Sequence, residues 1–317
     1  MMNKKLKIVF AGTPKFAVQT LRALYKEGYE ILLVLTQPDR KAGRGMNLKA
    51  SPVKQMGEDL SLPIYQPEKL NDDIVQKKLL ELNADILVVA AYGLIIPSEI
   101  LDIFPKGAYN VHASLLPLWR GAAPIHRAIE AGDSKIGVTI MSVSSKLDAG
   151  DMIRKGSVNL GKDENTEDVT KYLSILGAEL MVNVINDINN NKIPKLIKQN
   201  EGAATYANKI IKSEGKVIWR DVTSEQIIRK INAFNPFPGV SCFFRGKVIK
   251  IWKASKEDKI KINKPGSLWV NSEKSSLFLG TVDGTIELKE VQLAGKRKMT
   301  AKEFIFANEI ENGESLS

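Results

Sequence analysis

The sequence predicts a Rossmann-like, doubly wound α/β domain followed by a smaller β-barrel domain of OB-like type. Three observations predict it. Short apolar runs alternate with amphipathic helical patterns through residues 1–189, and strand–helix alternation implies parallel pairing through crossovers. Beyond residue 208 the texture changes to short strands punctuated by glycine-containing turns, the pattern of a small antiparallel barrel. A length of 317 residues also exceeds what a single core usually holds. The expected division is an N-terminal domain over 1–189, a linker over 190–208 and a C-terminal domain over 209–317.

The elements follow in order. KIVFAG reads as a first buried strand; its apolar run is too short for a secretory signal, and Gly12 and Pro14 punctuate it at once. FAVQTLRALYKEG places Phe16, Leu21 and Leu24 at helical spacing, with Gly12 expected to serve the tight turn before it. YEILLVLTQ is a second strand, IVQKKLLELN a helix, ADILVVAAYG a third strand and AYNVHAS a fourth. GAAPIHRAIEAGD reads as helix, GVTIMSVS as strand, and EDVTKYLSILGAELMVNVINDI as a long amphipathic helix. In the second half a helix, SEQIIRKINAF, precedes strands within PFPGVSCFFRGKVIKIWKA, GSLWV and SLFLGTVDGTIELKEVQL.

Composition excludes several classes. No run of about 18 apolar residues occurs, so a membrane-spanning helix is not expected. One cysteine and two histidines cannot build a Cys/His zinc site, and the lone Cys242 fits a reducing cytoplasm. Neither a GxxxxGK[ST] phosphate loop nor a GxGxxG fingerprint is present, since the first strand ends in VFAGTP. Of the net charge of +10, residues 209–317 carry +7 and residues 1–208 only +3. The more basic C-terminal part is suited to a polyanion.

Chemistry concentrates in YNVHASLLPLWRGAAP, residues 109–124. Asn110 and His112 are two apart on a strand and share a face. An amide donor beside an imidazole at a strand end suits acyl transfer, where one group holds an oxyanion and another moves a proton. Asp148, in SKLDAGDMI, is the carboxylate expected to orient that imidazole and favour its charged form, with Asp151 as its competitor three residues on. His126 lies in a helical pattern beside Arg127, and a solvated helix face accounts for it. The long segment TQPDRKAGRGMNLKASPVK carries Arg40, Lys41, Arg44, Lys49 and Lys54 against the single acid Asp39; as a basic loop near a ligand edge it could clamp the phosphates of an RNA end.

Together these residues resemble the transferases that use 10-formyltetrahydrofolate, and within them the branch that formylates methionyl-tRNA. The resemblance runs in order through VFAGTPKFAV, TQPDRKAGRG, NVHASLLPLWRGAAPIHRAI, LDAGDM, ATYANKIIKSEG and AFNPFPG. It puts Asn110, His112 and Asp148 at the family's catalytic positions. It implies that Ser114, Leu115, Leu116 and Pro117 line the folate pocket, and that Arg44, with Arg40 and Lys41, meets the acceptor end of initiator methionyl-tRNA. It further implies a C-terminal domain that holds the tRNA backbone and 10-formyltetrahydrofolate as formyl donor; a cytoplasmic monomer without a metal is expected. Two positions depart from the family pattern: Lys146 stands where a Gly is common, in the lead-in SVSSK, and Leu118 follows SLLP where Arg is common. The loop near the pterin is therefore expected to differ in shape. A formyltransferase for a small amine, such as a purine precursor or an amino sugar, would share the three residues without needing a basic second domain. A non-catalytic RNA-binding protein would leave them without a purpose.

Overall fold

A computed structural model describes residues 5–42 and 47–317. The chain forms two compact units, one from residues up to Pro124 with Lys135–Val158 and Thr170–Ala207, the other from Ile125–Ser134, Asn159–Val169 and Asn208–Ser317. The stretch 190–208 is tied into the first unit in part through Met152 and Ile197, which exchange backbone hydrogen bonds of 2.8 and 2.9 Å.

The first unit contains strands β1 (Lys7–Gly12), β2 (Glu30–Leu35), β3 (Arg40–Ala42), β4 (Asn47–Lys49), β5 (Ile64–Tyr65), β6 (Ile86–Ala90), β7 (Ala108–His112), β8 (Arg120–Gly121), β9 (Lys135–Ser142), β10 (Met152–Asn159) and β11 (Tyr206–Ala207). Its helices are α1 (Lys15–Lys26), α2 (Pro52–Asp59), α3 (Asp73–Glu81) and α4 (Ser98–Leu101); α5 (Pro124–Ala131) and α6 (Thr166–Asn189) run through both units. Local chemistry sets the helix starts. Ser51 accepts the Lys54 amide while Pro52 takes the first helical position of α2, and Asp72 caps α3 through the Ile74 amide.

A seven-stranded sheet runs β10-β9-β7-β6-β1-β2-β5. Pairing is parallel from β7 through β6, β1 and β2 to β5. The exception is β9, antiparallel to β7, so the wholly parallel pairing expected from strand–helix alternation does not hold. The reason is the path between them: β9 starts four residues before Thr139, the partner of His112 at the end of β7, and the eight-residue α5 is too short to carry the chain back along the sheet. Strand alternation gives the sheet two packed faces. On one, Val9, Ala11, Leu87 and Val89 meet Val75, Leu79 and Ile100 of α3 and α4. On the other, Gly177 lets α6 approach so closely that a Cβ there would stand 2.6 Å from Val111. Gly12 likewise serves close packing rather than a turn, since a Cβ would fall 2.8 Å from that of Ala17.

The second unit contains α7 (Ser224–Ala233), α8 (Ala301–Asn308) and strands β12 (Val240–Phe244), β13 (Lys247–Glu257), β14 (Leu268–Val270), β15 (Leu277–Gly280), β16 (Thr285–Leu293) and β17 (Met299–Thr300). They form a six-stranded sheet in the order β12-β13-β16-β15-β14, with β17 beside β16. Its hairpins turn at the glycine signals seen in the sequence, Arg245–Gly246 with φ of 45° and 73° among them. Outer strands β12 and β14 do not pair with each other among the described residues. Residues Glu314–Ser317 run beside both: Ser317 and Phe243 exchange backbone bonds of 2.6 and 2.9 Å, and the Leu268 amide donates to Glu314 at 2.6 Å. No helix among the described residues is long and apolar enough to cross a membrane.

Candidate active site

In open α/β sheets the ligand crevice lies at the carboxyl ends of the strands, where the strand order reverses. That reversal falls at β1, flanked by β2 on one side and β6 on the other, and β7 is the next strand out. β7 places Asn110 and His112 on the sheet face opposite Val111. Asn110 is half-buried, and its side-chain amide has no hydrogen-bond partner among the described residues. His112 is 5% exposed.

Both imidazole nitrogens face polar atoms. Nε2 lies 3.0 Å from the Trp119 carbonyl oxygen, an acceptor only, so this nitrogen carries a hydrogen. Nδ1 lies 3.6 Å from Oδ2 of Asp148. Of the two acids left open by the sequence, Asp148 is therefore the one beside His112, while Asp151 caps the strand pair through backbone bonds to Ser142. Asp148 sits at φ of 45°, a left-handed conformation that Asp tolerates better than most residues. Its Oδ2 also accepts the Gly121 amide at 2.8 Å.

The turn Ser114–Pro117 is built from β9. Thr139, fully buried and opposite His112, donates to the Ser114 carbonyl at 2.7 Å and accepts the Leu116 amide at 3.1 Å. Ser114 Oγ donates to the Leu118 carbonyl at 2.6 Å, and the Lys155 ammonium reaches the Leu116 carbonyl. Burial holds that ammonium below the usual lysine range. Ser114 and Leu116 are buried, Leu116 against Met141 and Met152, whereas Leu115 and Pro117 are half-buried. Surface for a ligand on this turn thus belongs to Leu115, Pro117 and backbone.

Arg40 and Lys41 lie on β3, which pairs antiparallel with β4. The segment read as a long loop therefore has a short two-stranded stem. Arg40 is exposed and donates to Gln37 at 3.0 Å, and Lys54 anchors the base of the segment through Asp39 at 2.6 Å. Arg44 lies outside the described residues. His126 is half-buried on α5 rather than solvated; burial first, and the Arg127 charge second, push it down to about 4.

Sequence reasoning missed a second set of residues around Asp148. Arg120 is only 2% exposed. Its Nε donates to Gln199 Oε1 at 3.0 Å, and its two terminal nitrogens grip Glu201 at 3.0 and 2.8 Å. Glu201 accordingly holds the guanidinium firmly charged. The available signal was an Arg between a Trp and a Gly directly after the SLLP turn, a place where a charge is either functional or buried with partners.

Comparison with known proteins identifies the family. The "Formyl transferase" family model matches residues 4–185, and the "Formyl transferase, C-terminal domain" model matches residues 209–308. The chain is 45% identical to a methionyl-tRNA formyltransferase of Coxiella burnetii over 303 residues, 96% of each chain. It is 42% identical to one of Methylobacillus flagellatus, over 98% of this chain and 99% of that one. Among solved structures, WlaRD, a sugar 3N-formyl transferase, shares the fold at a TM-score of 0.66 and 19% identity, over 93% of this chain and all of that one. HypX from Aquifex aeolicus, solved with tetrahydrofolic acid, gives 0.65 at 16% identity over 99% of this chain, which spans about half of the HypX chain (51%). The chain belongs to the formyl transferase family and carries both its N-terminal and its C-terminal domain.

Proposed function

We propose that this chain transfers the formyl group of 10-formyltetrahydrofolate to the α-amino group of methionyl initiator tRNA, the step that prepares that tRNA for translation initiation. The observation that carries the reading is likeness over nearly the whole chain, both domains included, to curated methionyl-tRNA formyltransferases at 42–45% identity.

The α-amino group has an ordinary pKa near or below about 8, so much of it is neutral at neutral pH. Its lone pair attacks the formyl carbon, and negative charge develops on the formyl oxygen. The amide of Asn110 and the imidazole of His112 donate to that oxygen. The proton shed by the attacking nitrogen passes through His112 to the departing folate nitrogen, while Asp148 holds the ring. His112 Nε2 rests on the Trp119 carbonyl, so engaging substrate exchanges that hydrogen bond for one to the reacting atoms. The turn Ser114–Pro117 walls the folate, presenting Leu115, Pro117 and backbone while Ser114 and Leu116 brace it from inside. Nothing in this scheme calls for a metal.

Arg40, Lys41 and Arg44 are assigned to the acceptor end of the tRNA. The domain over 209–317, with its net charge of +7, is assigned to the tRNA backbone. We read its sheet as an OB-like barrel whose remaining gap is bridged by Glu314–Ser317. The chain is taken to act in the cytoplasm as a monomer, its single Cys242 buried and reduced.

The test is transfer of labelled formyl from 10-formyltetrahydrofolate to methionyl initiator tRNA, with elongator methionyl-tRNA and an amino sugar nucleotide as controls. Transfer to initiator tRNA alone is expected. Transfer to the amino sugar and not to tRNA would overturn the assignment.

A further inference from the structure

One tripeptide touches everything that fixes His112. The Trp119 carbonyl faces His112 Nε2 at 3.0 Å, and the Gly121 amide donates to Asp148 Oδ2 at 2.8 Å. Between them, the Arg120 side chain is buried. Its Nε holds Gln199 Oε1 at 3.0 Å, which turns the Gln199 amide nitrogen toward the loop that carries Asp148. That nitrogen has two hydrogens, and both are used: one on the Asp148 carbonyl at 2.7 Å, the other on the Gly150 carbonyl at 2.7 Å. Glu201 closes the far side of the guanidinium. The loop needs such support, because Asp148 occupies a left-handed backbone conformation at φ of 45° and Gly150 passes so close to Ser142 that a Cβ would meet its carbonyl oxygen at 1.8 Å.

We propose that Arg120 and Gln199 are positioning residues for formyl transfer: through Gln199 the buried guanidinium fixes the backbone of Asp148, and through Asp148 it fixes the orientation of His112. The proposal rests on the formyl-transfer reading for its kinetic arm and on geometry alone for its structural one. Burying a guanidinium is costly, and a core needing only stability could use an apolar side chain here. What an apolar residue cannot do is polarise Gln199 so that both its hydrogens point at one loop. Groups that orient reacting side chains in this way typically change rates by roughly 10–100-fold when removed, with substrate binding little altered.

Gln199→Glu is the discriminating variant. It keeps the size of the side chain and the acceptor for Arg120 Nε, but removes both donors and sets a carboxylate against two carbonyls. The expected result is a fall in kcat of roughly 10–100-fold with KM for methionyl-tRNA and for the folate within about threefold. The chain has only two histidines, so labelled imidazole 15N resonances resolve His112 from His126. The His112 ring signals are expected to move in Gln199→Glu while those of His126 stay in place. Glu201→Gln, on a side chain that is 69% exposed, keeps an acceptor for Arg120 and supplies a second, milder variant, and the same resonances should shift in the same direction by less. Should Gln199→Glu fold poorly, the Glu201→Gln spectrum decides. Unmoved His112 signals and unchanged kcat in both variants overturn the proposal. Absence of formyl transfer by the wild-type chain would instead remove the functional reading, and the spectra would still decide the positioning role.

Discussion

The two histidines of this chain occupy opposite physical situations. His112 is enclosed but has an acceptor at each ring nitrogen, the Trp119 carbonyl and Asp148. His126 is half-buried beside Arg127, and burial pushes it down to about 4. The first arrangement supports proton transfer, so Asn110→Ala and His112→Ala should each lower kcat by roughly 10²–10³ while methionyl-tRNA affinity stays near normal. Comparable losses of affinity, measured by equilibrium binding, would remove both residues from the chemistry. The second is a stability device with a definite sign. His126 is neutral in the fold, so the unfolded chain binds the extra proton between its ordinary value of about 6.5 and the folded value. Its contribution is complete above about pH 6.5 and is lost as pH falls toward 4, on the order of 3 kcal/mol. Denaturation midpoints of His126→Gln measured across that range should show a flatter pH dependence; an unchanged slope would mean that other groups cause it. Residue by residue, the sequence disclosed the polar pair on β7 because strand spacing is regular. It left open whether Asp148 or Asp151 faced His112, since loop geometry has no period. It concealed Arg120, because a guanidinium looks the same in a sequence whether it is solvated or gripped by Glu201.

Among the elements, those with strong periodicity were legible: β1, β2, β6, β7, α1, α6 and α7 all lie where apolar spacing put them. Elements of two residues carry no period, and β8, β11 and β17 went unread. Strand direction is also absent from local pattern. β9 looks like any buried strand, and it runs antiparallel because the chain never returned to the other end of the sheet before entering it. The segment 190–208 read as a linker by its polar composition, yet Gln199 and Glu201 within it grip Arg120, and Tyr206–Ala207 pairs with Arg120–Gly121. The tail is a similar case. Leu316 is 4% exposed, forms a bridge with Phe244, and its neighbours bond to both outer strands of the second sheet. Leu316→Ala should therefore cost about 2–5 kcal/mol, the range of a core Leu truncation, despite lying one residue from the end of the sequence. A chemical-denaturation loss below about 0.5 kcal/mol would show that the tail merely lies on the surface.

For the molecule as a whole, the uneven charge is the feature that fold alone does not require. A formyltransferase acting on a small amine needs a formyl-transfer site but no basic domain. Here residues 209–317 hold +7 of the net +10, and among residues 39–54 the bases outnumber the single acid by five to one. Neutralising phosphates releases counterions, so affinity falls with salt on a log–log slope of roughly −0.9 for each phosphate contacted in a duplex. Binding of methionyl initiator tRNA should follow such a line between about 50 and 200 mM salt, with a slope reflecting several contacts. Arg40→Ala and Lys41→Ala, both on the exposed β3 stem, should each make the slope shallower by up to about one contact and weaken binding at low salt most. Turnover at saturating tRNA should be kept, because neither side chain reaches Asn110, His112 or Asp148 through any hydrogen bond or ion pair in the structure. Should Kd instead be independent of salt, the excess charge would have no part in tRNA recognition, and the basic character of the second domain would need another explanation.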